Sequence, residues 1–137
     1  EIMNRMGQDS NPTIEPVISR EELMRARSRV DQIYVDDKIK NYIVELVITS
    51  REPDAHGMSS IKELIKLGAS PRATISLIRA SKAHAFLRGR GYVTIEDVKA
   101  IAYNVLRHRI LLSFEAEAEE TKSDSVIREI LGHVEVP

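Results

Sequence analysis

The chain has 137 residues, enough for one domain with a real apolar core, and its 42% hydrophobic and 30% charged residues are ordinary for a globular protein. Twenty basic side chains stand against 21 acidic ones, a net charge of -1, which argues against a general nucleic-acid binder while leaving room for a local basic patch. Cysteine is absent, excluding disulfides, thiolate chemistry and cysteine-based zinc sites, and with 4% aromatics and no tryptophan the core must be aliphatic.

No apolar run approaches the roughly 18 residues needed to span a bilayer. The opening "EIMNRMGQ" lacks the look of a signal peptide, so no membrane partner is expected and the expected compartment is the cytoplasm. "EIMNRM" reads as one or two turns ending a helix of a longer chain, and "GQDSNPTIEP" after it as a linker. The expected division is residues 1–16, the end of a preceding helix and its linker, and 17–137, a helical domain.

"VISREELMRARSRV" opens the first full helix. Ser19 and Glu22 have the spacing of a capping box, and Leu23, Ala26 and Val30 form an apolar stripe. "DQIYV" is too short to commit to a strand and fits an extended connector equally well. Asp36 can cap the next helix, where Ile39, Tyr42, Ile43, Leu46 and Val47 recur at helical spacing and should face the core. "PDAHGMSSIKELIKLGAS" reads as a loop with one or two short turns.

The longest helix should follow, with Ser70 as N-cap and Pro71 at N1, where its missing N–H costs nothing. Ala73, Leu77, Ala80, Ala83 or His84, and Leu87 make one face, which Ile75, Ile78 and Phe86 widen; Gly89 suits the C-terminal cap. A second capping box, Thr94 and Asp97, starts a helix with apolar positions at Ile95, Val98, Ile101, Ala102, Val105 and Leu106. "LLSFEAEAEETKSD" is acidic and partly irregular, and "SVIREILGHV" gives a last short helix. The expected fold class is all-α, a small helical bundle.

Catalytic motifs are absent: there is no phosphate loop ending in Lys-Ser or Lys-Thr, no G-x-S-x-G and no H-E-x-x-H. His56, His84, His108 and His133 show no short ligand spacing, so no metal site is expected; His84 fits a packed or interfacial role and His108 an exposed helix end. Glu22 and Asp97 are accounted for by capping. Arg72 stands out. In the first turn of a helix its backbone lies among unpaired N–H groups, and its guanidinium can add a bidentate contact to a phosphate. The small neighbours Gly68, Ala69, Ser70 and Ala73 allow close approach. Against this, exposed arginines in first turns are tolerated without function. A second reading is a helical nucleic-acid-binding or protein-interaction module, which requires a continuous basic surface from Arg88, Arg90, Arg107 and Arg109. A third is a structural adaptor with no anion site.

The run "GASPRATISLIRASKAHAFLRGRGYVTIEDVKAIAYNVLRHRI" closely resembles the C-terminal lid of MoxR-family AAA+ ATPases, and the likeness extends to nearly the whole chain. The order and spacing of "GASPRA", "RGRGYVTIEDV" and "VLRHRI" carry it. By this resemblance Arg72 is the sensor-2 arginine directed at the γ-phosphate of ATP, with Ser70 and Pro71 orienting it. The resemblance also implies ATP and Mg2+ as cofactors of the full-length protein, its own N-terminal ATPase core as partner, and a homo-oligomeric, often hexameric, chaperone-like ring. A von Willebrand factor A domain protein is a further implied partner. The phosphate loop, acidic metal-binding segment, sensor-1 residue and arginine finger are not in this sequence, so the chain alone is expected neither to hydrolyse ATP nor to bind it tightly.

Overall fold

The computed structural model describes residues 15–137. The "EIMNRM" helix end and the linker up to residue 14 lie outside the described residues. Seven α-helices follow in order: α1 (Arg20–Asp31), α2 (Asp37–Arg51), α3 (Ser59–Lys62), α4 (Arg72–Leu87), α5 (Ile95–Leu106), α6 (Phe114–Ala118) and α7 (Ser123–His133). A short 3-10 turn at Asp54–His56 precedes α3, and two small strands, β1 (Ile65–Leu67) and β2 (Leu111–Leu112), pair antiparallel. The fold is the expected helical bundle, with this two-stranded clip as an addition that sequence periodicity did not show.

Helix α4 is the axis. It packs against α5, α2 and α1, and α7 closes the far side against α5 and α2. Its buried row is Ala73, Leu77, Ser81 and Ala85, four residues apart and mostly small, so the backbone of α5 can come close. Around it Ile43, Leu46, Ile61, Val98, Leu106, Ile127 and Ile130 are fully buried, giving the aliphatic core that the composition requires. The stripes expected on α2 and α5 do face this core, with Ile39, Ile95 and Ile101 packed at its margin.

Two expected apolar faces differ. Leu87, placed on the buried face of the long helix, is 81% exposed, and Ile75 is 55% exposed. Both lie off the i, i+4 row that α5 covers. Helix α1 buries no residue at all: Leu23 is half exposed, and Ala26 and Val30 are only partly covered. Its capping box is formed as expected, Glu22 N–H donating to Ser19 Oγ at 3.1 Å and Ser19 N–H to Glu22 at 2.7 Å. A helix end can thus be written locally even where tertiary packing is slight.

"DQIYV" is neither free loop nor strand. The Tyr34 N–H donates to the Gly91 carbonyl and the Val93 N–H to the Tyr34 carbonyl, a single parallel bridge that pins the α1–α2 connector to the α4–α5 turn. Ile33 and Val35 are buried on either side of it. Lys82 on α4 donates to the Asp31 carbonyl at 2.8 Å, holding the last turn of α1.

Helix α4 ends in a complete Schellman arrangement. Gly89, at φ +71°, donates to the Phe86 carbonyl, and Arg90 N–H donates to the Ala85 carbonyl. The end of α6 uses the same pair of bonds, Glu120 to Glu117 and Thr121 to Ala116, but with a glutamate at φ 57°. A side chain in that left-handed position is strained. Glu120→Gly is expected to stabilise the domain by about 0.5–1 kcal/mol in urea denaturation, the relief of strain outweighing the entropy of an added glycine.

Candidate functional site

Arg72 begins α4, and its guanidinium makes no hydrogen bond or ion pair among the described residues, where the side chain is exposed. The other described helices longer than two turns carry an acid in the first turn: Glu21 and Glu22, Asp37, Glu96 and Asp97, and Asp124. The first turn of α4 carries none, so its unpaired N–H groups and the guanidinium present positive potential together.

What holds this end in place differs from expectation in one respect. Ser70 makes no side-chain cap; the chain enters the helix through Pro71, already helical at φ -54°, and the Ser70 carbonyl accepts from Ala73 N–H at 2.7 Å. The approach to the helix is fixed one step earlier, which leaves Ser70 no need to wrap back. A Cβ on Gly68 would lie 2.2 Å from the Ser50 carbonyl oxygen, so the backbones meet there as only glycine permits. Ala69 is fully buried, and its N–H donates to Ser50 Oγ at 3.1 Å, while that hydroxyl donates to the Val47 carbonyl at 2.7 Å. Ser50 was not singled out by sequence reasoning, because nothing local marks a serine near the end of α2 as a partner of residue 69.

The other end of α4 is held by Asp97. This carboxylate is fully buried and is far more than a cap. Arg90 reaches it with two bonds, at 2.5 and 2.7 Å; His84 Nδ1 lies 2.7 Å away; Thr94 N–H and hydroxyl donate at 2.8 and 3.2 Å. An ionised carboxylate only accepts, so His84 carries its proton on Nδ1. Burial pushes the Asp97 carboxyl upward, but the Arg90 guanidinium, the Thr94 N–H and His84 outweigh it and hold the group well below the usual carboxylate range. His84 is therefore the packed histidine expected, with Asp97 as its partner.

Two of the four arginines required by a nucleic-acid reading are paired with carboxylates. Arg90 is turned inward onto Asp97, and Arg107 forms a two-bond pair with Asp124 at 2.6 and 2.8 Å, leaving Arg88 and Arg109 without these two neighbours. His108 is exposed, and His133 Nε2 donates to the His56 carbonyl at 2.6 Å. Among the described residues no three acidic or histidine side chains come together as metal ligands, and no helix is long and apolar enough to cross a membrane.

The AAA lid domain family matches residues 58–130, more than half of the chain and all of α4 and α5. The chain belongs to the AAA lid domain family. Within it the chain matches MoxR-family lids, and several of the relatives carry the MoxR name. Chaperone MoxR1 of Mycobacterium tuberculosis is 35% identical over the full chain, which spans 36% of that protein. Protein MoxR of Paracoccus denitrificans is 37% identical over 55% of the chain and 23% of its own length. A crystal structure of a candidate ATPase from Cytophaga hutchinsonii superposes on 99% of the chain with a TM-score of 0.91 at 34% identity, across 41% of that molecule. The chain thus spans well under half the length of these relatives, and its all-α lid fold is theirs.

Replacing Asp97 tests the lower clamp of this MoxR-type lid. The unfolded chain protonates an ordinary aspartate near pH 4, above the folded value, so the contribution of Asp97 is complete above about pH 4 and drains away as pH falls below it. Asp97→Asn is expected to cost about 3 kcal/mol at pH 7 and to flatten this acid arm, as read from urea denaturation at pH 7 and pH 3.

Proposed function

We propose that this chain is the C-terminal lid of a MoxR-type AAA+ ATPase, in which Arg72 contacts the γ-phosphate of ATP bound by a preceding core. The observation that carries the reading is the exposed Arg72 guanidinium, unpaired among the described residues, at a helix start with no acid in its first turn. A triphosphate end supplies the negative charge that this helix lacks, and a guanidinium matches phosphate oxygens two at a time.

The core would bring the phosphate loop, the attacking water and the ligands for Mg2+, which would supply positive charge to offset that of the phosphates. Arg72 acts by position: it holds the γ-phosphoryl group and stabilises charge that grows as the group departs. After hydrolysis that contact is lost, and a rigid α4 passes the change to the rest of the lid as a body movement. The exposed apolar residues Val17, Ile18, Leu23 and Met24 around α1 supply a face for the chain's own ATPase core to cover. A homo-oligomeric, hexameric ring of chaperone type in the cytoplasm, working with a von Willebrand factor A domain partner, completes the proposal.

The test uses the full-length ATPase. Arg72→Ala is expected to lower kcat about 100-fold with ATP affinity changed only severalfold, and Arg72→Lys to recover part of the loss, since it restores charge without the planar fork. Turnover unchanged in Arg72→Ala rules out the γ-phosphate role.

A further inference from the structure

We infer that Ser50 is a positioning residue for the arginine at the start of α4, keying that arginine to the end of α2. The inference rests on the γ-phosphate reading of Arg72. Ser50 is fully buried, sits in the last turn of α2 and joins that helix to the approach to α4. Its hydroxyl donates backward to the Val47 carbonyl, which fixes the rotamer, and accepts the Ala69 N–H, which fixes the incoming chain. Its carbonyl forms the floor on which Gly68 lies, with Arg51 Cα beside it.

Only Ser70 and Pro71 separate this contact from Arg72. Pro71 has its φ locked by its ring, and the Ser70 and Pro71 carbonyls already accept from Ala73 and Thr74 N–H groups. Little rotational freedom remains between Ser50 and the Cα of residue 72. A guanidinium on a long side chain still samples rotamers, but its origin and the direction of the helix N–H groups are set by α2. Two consequences follow. The reach of Arg72 toward a phosphate depends on a hydroxyl that never touches it, and a pull on Arg72 is delivered to α2 through Gly68, Ala69 and Ser50. Misplacing a positioned group by about 1 Å can cost as much as 100-fold in rate.

The experiment is a double-mutant cycle in the full-length ATPase, with kcat and ATP affinity measured for Ser50→Ala, Arg72→Ala and the pair. Ser50→Ala is expected to lower kcat about tenfold with ATP affinity nearly unchanged, and the double variant to turn over like Arg72→Ala alone, because the serine acts only through the arginine. Losses that multiply in the double variant overturn the inference, since they show Ser50 acting independently of Arg72. Should Ser50→Ala fail to fold, Ser50→Cys keeps the shape of the side chain with a slightly larger atom and weakens the bonds, and wild-type turnover in that variant overturns the inference too. An Arg72→Ala protein with normal kcat defeats the γ-phosphate reading itself, whereas impaired Arg72→Ala beside a normal, folded Ser50→Ala defeats only the role of Ser50.

Discussion

The buried carboxylate of Asp97 is the interaction on which the arrangement depends. It sits in the first turn of α5, receives the two terminal nitrogens of Arg90 from the turn after α4, and receives His84 from the last turn of α4 itself. One anion thereby fixes the angle between the two most extensively packed helices. A buried charge is costly unless every lone pair is used, and here five donors use them. The same contacts pair the partly exposed Arg90 with an acid, so the group that organises the fold also offsets a cation at the α4–α5 turn.

With Asp97 at one end and Gly68 against Ser50 at the other, α4 is clamped twice and padded between by Leu77, Ser81 and Ala85. A helix held in this way moves as a unit with its neighbours and does not bend locally. That property suits the proposed lid role, in which a contact of a few ångströms at one tip would become rotation of a whole domain. The Tyr34 bridge to Gly91 and Val93 adds the α1–α2 connector to the same rigid group.

Much of this was legible in the sequence. Both capping boxes are written in four residues, and the apolar positions of α2 and α5 recur at helical spacing, so their buried faces follow from period alone. "GASPRA" marked Arg72 and the start of α4. What failed did so for tertiary reasons. Leu87 is as apolar as Leu77, and only the placement of α5 decides which is covered. Leu23 reads as core because a stripe does not say whether a partner is present. The Ser50 to Ala69 bond joins positions 19 apart, and the inward turn of Arg90 depends on a histidine and an aspartate that sequence treats as separate features. Capping gave Asp97 a sufficient local role and so concealed the larger one.

The β1–β2 clip has a mechanical meaning. Ile65 pairs with Leu112 and Leu67 with Leu111, and the Leu64 carbonyl accepts from Ser113 N–H, so the strands enclose a loop that contains all of α4 and α5. Tension applied to the chain from either side of that loop loads the clip before it reaches either helix. Such a closure lets α4 and α5 bear strain at the ends of the loop while the geometry between them stays intact.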